Sequence, residues 1–93
     1  MIVGFRHKAL RRFFESGDRS RLPPDMVDRI GRILSALHAA RSINEIASMQ
    51  SLRLHRLQRD MAAYWAVTVR ANWRIVFRVV GDDIDDVDFM DYH

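Results

Sequence analysis

Apolar residues recur every three to four positions through the first half of this chain, and from Arg53 onward they alternate one by one with polar residues. The first regime predicts helices and the second predicts strands. In "HKALRRFFESGD" Leu10, Phe13 and Phe14 share a helical stripe, Arg11, Arg12 and Glu15 lie off it, and Gly17 stands where a helix terminates. "RSRLPPD" then interrupts the chain, because proline starts helices well and is excluded from their interiors. A longer helix starts near Pro24. Its stripe is Met26, Ile30, Ile33, Leu34, Leu37 and Ala40, and Asp25 and Asp28 sit near the positive end of the helix dipole. Ser42 followed by Glu45 has capping-box spacing and predicts one short helical turn. At the start of the chain, "IVGF" reads as an edge strand or a lead-in.

"RLHRL", "YWAVTVR", "WRIVFRVV" and "IDDVDFMDYH" are the strand candidates. The turn signals "AN" and "GDD" make consecutive strands antiparallel neighbours. Alternation directs Trp65, Val67, Val69, Trp73, Ile75, Phe77, Val79, Val87 and Phe89 toward the helices. It directs Tyr64, Thr68, Arg70, Arg74 and Arg78 to the opposite face. The prediction is one α+β domain over residues 1–93. Two N-terminal helices pack on one face of a mainly antiparallel, twisted sheet, and the other face is open and basic.

Composition narrows the chemistry. The chain has no cysteine, so no disulfide or thiolate metal site supplements its one small core. Arginines interrupt the first residues where a signal peptide would be apolar, and no run is long enough for a membrane helix, which predicts a cytoplasmic protein without a membrane partner. Charge is unevenly distributed: residues 1–78 carry all 15 Lys and Arg against six acids, whereas residues 79–93 carry six acids and no base. A body of this kind suits polyanions, and its arginines suit phosphate forks and stacking on bases.

Among the histidines, His7 and His38 lie on helices between charged and small residues and read as solvated or structural. His55 is crowded by Arg53, Arg56 and Arg59, a setting that suits a base or a hydrogen-bond donor beside a bound phosphate; an ordinary strand histidine is the alternative. Asp82, Asp83, Asp85, Asp86 and Asp88 look like a metal cluster only until alternation is applied, since Asp86 and Asp88 then share one face and Asp85 takes the other. No metal site is expected. Acyl transfer and nucleotide hydrolysis find no nucleophile elbow and no phosphate-cradling glycine loop. RNA cleavage without metal asks for a group to take the 2'-hydroxyl proton, a group to protonate the leaving 5'-oxygen, and cations for the phosphorane. Asp, Tyr, His and Arg supply these roles. Asp91 and His93 would project to one side of an extended strand about 7 Å apart, with Tyr92 on the other. Strict alternation places that pair on the same side as Val87 and Phe89, so either the strand bulges near Met90 or the two groups lie beyond the edge of the core.

The order helix, helix, sheet, together with "FRHKALRRFFESG", "RLHRLQRD", "YWAVTVRANWRIVFRV" and the closing "DYH", resembles the HigB-type toxins of the RelE-like group across nearly the whole chain. The most specific parts are "NWRI", residues 72–75, and the closing triplet. The resemblance implies a RelE-like microbial RNase fold and a ribosome-dependent endoribonuclease, without a cofactor, that cuts messenger RNA at the decoding site and arrests growth. It also implies a cognate helix-turn-helix antitoxin of HigA type, through which alone operator DNA would be contacted. Carried over residue by residue, it implies catalytic roles for His55, Arg74, Asp91, Tyr92 and His93. Either His93 or Asp91 would handle protons, Tyr92 would stack on or orient a base, and Arg74 would stabilise phosphate charge. Arg53, Arg56, Arg59, Arg70 and Arg78 are the candidate RNA phosphate contacts. The family's Pro-Leu-Lys stretch appears here as Arg56, Leu57 and Gln58, so its lysine is missing, and Arg56 or Arg59 is the expected substitute. Two other readings compete: a non-catalytic module that blocks translation by occupying the ribosome, and a structural partner that sequesters the antitoxin.

Overall fold

The computed structural model of the protein describes residues 1–91. Three helices, α1 (Lys8–Ser16), α2 (Val27–Ala39) and α3 (Ile43–Ser48), precede four strands, β1 (His55–Arg56), β2 (Tyr64–Arg70), β3 (Trp73–Val80) and β4 (Asp83–Asp91). The strands form one antiparallel sheet in the order β1-β2-β3-β4. Residues 2 to 5 run alongside β4 in parallel, bridging Ile2 to Ile84 and Phe5 to Val87. The free edge of β4 is therefore partly covered, which restrains pairing with other chains. No helix among the described residues is long and apolar enough to cross a membrane.

The helix ends follow local chemistry. His7 caps α1 by accepting from the Leu10 N–H at 3.2 Å, and Gly17 closes it in a left-handed conformation at φ 76°. α2 begins at Val27, three residues after the proline expected to start it, because the residues around Pro24 form a turn in which the Met26 N–H bonds the Pro23 carbonyl at 3.0 Å. At α3 the Ser42 hydroxyl accepts from the Glu45 N–H at 3.4 Å, while the Glu45 carboxylate reaches past Ser42 to the Arg41 N–H at 3.1 Å. The capping box is present with its return bond displaced by one residue.

The main core lies between the helices and one sheet face. Met26, Ile30, Ile33, Leu34, Leu37 and Ala40 are all buried there, as are Leu10, Val67, Val69, Ile75, Phe77, Val87 and Phe89. Trp65, Trp73 and Val79 pack against this cluster, so the faces expected from alternation are the faces observed. The opposite face is less open than expected. The segment between β1 and β2, which includes a 3-10 turn at Arg59–Met61, folds over part of it. Leu57, Ala66 and Val76 are buried there as a second small cluster, flanked by Met61, Tyr64 and Met90.

Two register slips change which residues share a face. Between Thr68 and Arg70 the β2–β3 ladder gains a residue, so Thr68 pairs with Arg74 but Arg70 pairs with Trp73. In β4, Val76 pairs with Asp88 and Arg78 with Asp85, leaving Asp86 and Val87 opposite Phe77. Asp86 takes a left-handed φ of 54°, the mark of a bulge residue. The slip allows Ile84 and Val87, three apart, both to reach the core.

Candidate active site

His55 pairs with Ala66, Ala66 with Val76, and Val76 with Asp88, which defines one row across the non-helical face. Thr68, Arg74 and Met90 form the neighbouring row. His55 and Arg74 thus stand two strands and one pair apart, roughly 12 Å between Cα atoms from standard sheet spacings.

His55 is exposed, and its Nδ1 lies 3.0 Å from the Arg53 carbonyl oxygen. A carbonyl only accepts, so this bond takes the proton of Nδ1, and in the neutral ring Nε2 then carries the lone pair. Arg53 itself holds φ 51°, an unusual conformation for a residue with a long side chain, and that backbone turn brings its carbonyl back to the ring.

Arg74 leans toward the β2–β3 turn, donating from Nη1 to the Ala71 carbonyl and, at 3.2 Å, to its neighbour Trp73. Its Nε is buried and has no hydrogen-bond partner among the described residues. Neutral carbonyls thus hold the side chain in place, and among the described residues no carboxylate pairs with it.

At the other end of the face Arg78 is paired with two carboxylates. Its Nε donates to Asp86 at 2.9 Å and its Nη2 to Asp85 at 3.5 Å. The same Asp86 oxygen accepts from the Tyr64 hydroxyl at 3.1 Å. The Arg78 hydrogen bond holds the Asp86 carboxyl below the ordinary carboxylate range against the opposing effect of burial, and the Tyr64 hydroxyl and the Arg78 and Arg6 charges lower it further. Reciprocally, Asp86 raises the Arg78 guanidinium. Asp85 belongs to this group. Strict alternation would place it on the opposite face from Asp86, and the bulge between them brings both carboxylates to Arg78.

Arg70 is a second correction. It was expected beside Arg74 on the open face, but the slip at Thr68 turns it to the Trp73 side, where it forms an ion pair with Asp25 just before α2. Arg56 pairs with Trp65, so it lies on the face away from His55. Its guanidinium sits 5.3 Å from the Trp65 ring centroid, and its Nε donates to the Ala62 carbonyl at 2.9 Å. Among the described residues the guanidinium groups of Arg53 and Arg59 have no hydrogen-bond or ion-pair partner.

Asp91 pairs with Trp73 and is exposed at the end of β4, so its register face is the helical one and not that of His55 and Arg74. Of the two alternatives for this end of the strand, a bulge near Met90 is absent among the described residues, since Met90 and Asp91 keep regular register with Arg74 and Trp73 and the β4 slip lies upstream at Asp86. Tyr92 and His93 lie outside the described residues. His7 and His38 are structural, the latter accepting the Ile2 N–H at 3.1 Å. Sequence reasoning missed Arg29, whose Nη2 donates to the Ser51 carbonyl at 2.6 Å and the Thr68 carbonyl at 3.0 Å. No local pattern marks it, because both partners lie more than 20 residues away in sequence.

The family model for the RelE-like toxin of the type II toxin-antitoxin system HigB matches residues 3–93. The chain is 43% identical over 93 residues to "Endoribonuclease HigB" of Proteus vulgaris, with all of both chains covered. Among solved structures it is similar to a YoeB/ParE toxin from Agrobacterium tumefaciens, with TM-score 0.54, 20% identity and 97% and 99% of the two chains covered. It is also similar to a YoeB dimer from Staphylococcus aureus, with TM-score 0.57, 17% identity and 100% and 97% covered. At these identities the two structures speak for the fold alone.

Proposed function

The chain belongs to the HigB-like family of type II toxins, and from that premise we propose that it is an endoribonuclease that cuts messenger RNA on the ribosome without a metal ion. Membership of a type II system supplies an antitoxin partner; its helix-turn-helix, HigA-like character and its sole hold on operator DNA belong to the proposal.

The observation that carries the reading is the hydrogen bond that orients the His55 ring on the Arg53 carbonyl, on the same sheet face as an arginine that no carboxylate pairs with among the described residues. His55 Nε2 takes the 2'-hydroxyl proton as the 2'-oxygen attacks phosphorus, and Arg74 stabilises the charge that accumulates on the phosphoryl oxygens. The 5'-oxygen leaves with a proton supplied from the last two residues, Tyr92 and His93, because Asp91 stands in register on the helical face, away from His55 and Arg74. The products carry a 2',3'-cyclic phosphate and a 5'-hydroxyl. Arg59 is the better substitute for the family's lysine, since Arg56 is engaged on Trp65 and Ala62. Arg53 joins it as a phosphate contact.

So few groups suffice when the ribosome binds and orients the message. Phosphate contacts by the arginine-rich body then make ribosome binding fall steeply as salt is raised. Gln58, where the family has lysine, favours a second reading in which the protein blocks translation by occupancy alone.

The test is to induce the chain without antitoxin, alongside His55→Ala and His93→Ala, and to map messenger 5' ends at nucleotide resolution. Codon-phased cuts that vanish in the variants support the nuclease. Growth arrest with intact messages establishes occupancy instead. Purified protein given the same message free and ribosome-bound then measures the dependence on the ribosome.

A further inference from the structure

Resting on the assignment of His55 above, we propose that Arg29, on α2 and remote in sequence from every candidate site residue, is a positioning residue that sets the orientation of the His55 imidazole and its spacing from Arg74.

The argument follows the chain of hydrogen bonds. Arg29 donates from one nitrogen to two backbone carbonyls, Ser51 at 2.6 Å and Thr68 at 3.0 Å. Ser51 lies in the 3-10 turn Gln50–Leu52, and that turn ends on Arg53, whose N–H bonds the Gln50 carbonyl and whose left-handed backbone presents its own carbonyl to His55 Nδ1. Thr68 is the cross-strand partner of Arg74 and stands at the point where the β2–β3 ladder slips. One guanidinium therefore ties the turn that orients the base to the strand that is paired with the phosphate-binding cation. Loops hold side chains loosely unless something rigid anchors them. Here a helix buried in the main core provides the anchor.

β1 consists of only two residues, His55 and Arg56, so its ladder with β2 cannot hold the segment firmly by itself. Without Arg29, the Ser51 turn and the Arg53 carbonyl lose their fixed relation to β2. The imidazole is then free to exchange its proton between Nδ1 and Nε2, and the fraction with a lone pair facing the substrate falls. A misplacement of this order at a reacting group lowers turnover by one to two orders of magnitude while leaving substrate affinity nearly untouched.

The test uses the full chain and reads two quantities. Long-range proton–nitrogen spectra of the uncharged imidazoles report the His55 tautomer, and ribosome-programmed messenger cleavage reports kcat and KM. Wild type is expected to show a proton on Nδ1 alone. Arg29→Met is expected to show both tautomers, with kcat about tenfold lower and KM within about twofold. Arg29→Lys, which keeps a donor within reach of the carbonyls, is expected to recover part of both losses and serves if Arg29→Met does not fold. Asp25→Asn loosens α2 from β2 at the Arg70 ion pair without touching Ser51, and is expected to leave the His55 tautomer as in wild type. An unchanged His55 spectrum in both Arg29 variants overturns the proposal, whatever cleavage does. A mixed tautomer alongside a His55→Ala protein that still cleaves at the wild-type rate shows that Arg29 orients a bystander. That outcome refutes the role of His55, a failure distinct from that of the Arg29 clamp.

Discussion

Arg74 and Arg78 stand four residues apart on β3 and face the same side of the sheet, but the two ends of that face treat them differently. Arg78 is held by Asp85 and Asp86, and Tyr64 completes the network. Arg74 is held by two backbone carbonyls, and among the described residues its buried Nε has no partner. The difference teaches that counting arginines does not measure the capacity of a surface for phosphate. A guanidinium already paired with carboxylates must break those bonds before it binds an anion, whereas one braced by neutral carbonyls keeps its charge for the ligand. Under the proposed function the Arg74 end is the one that carries chemistry, whereas Arg78 is tied to the β4 bulge by Asp85 and Asp86.

Four experiments sharpen or break this contrast. The largest effect belongs to the core beneath both arginines: Phe77→Ala, which empties a fully buried site opposite the β4 bulge, should lower stability by about 3–5 kcal/mol in chemical denaturation. A small domain has only about 5–15 kcal/mol to lose, so both ends of the face would then fail together. Arg74→Ala comes next. Cleavage should fall about 10²- to 10³-fold, equivalent to about 3–4 kcal/mol of transition-state stabilisation, while stability stays within about 0.5 kcal/mol of wild type. Equal losses of folding and activity would mean that Arg74 is structural, and the contrast would collapse.

Smaller effects are expected at the Arg78 end. Asp86→Asn should cost at most about 1 kcal/mol, because the ion pair is a third exposed and screened by water. It should also change the response to acid. The folded Asp86 carboxyl lies below its ordinary value of 3.8, so its contribution to stability is complete above that value and is lost as pH falls through the folded value. Melting followed into acid should therefore show a drop in wild type that is reduced in Asp86→Asn. The smallest effect is on turnover: Arg78→Gln should cleave within about twofold of wild type, close to the background expected of a surface change. A loss comparable with that of Arg74→Ala would show that the carboxylates release Arg78 to RNA, and the two ends would then be equivalent.

Much of this architecture was legible in the chain. The α2 stripe from Met26 to Ala40 is fully buried, and the residues expected on the helical sheet face are there, since helical and strand periods record which side meets the core. His55 and Arg74 do share a face. The placement of Arg70 and Asp85 was not legible, because each lies beside a one-residue slip, and beyond a slip alternation assigns the wrong side. The small apolar cluster under Leu57 was missed for a related reason: a loop without periodicity carries no sign of the surface it covers.

The sequence by itself determined the helix and strand regimes, the hairpin turns, the apolar face and the family, because each rests on neighbours within a few residues or on motifs read in order. Only the tertiary structure decided which arginines keep their charge for a ligand, where the two bulges fall, and that Arg29 joins the Ser51 turn to the Thr68 strand. The physical reason is that the state of a guanidinium depends on the oxygens folding brings within hydrogen-bonding distance. For Arg29 and Arg70 those oxygens come from 22 to 45 residues away.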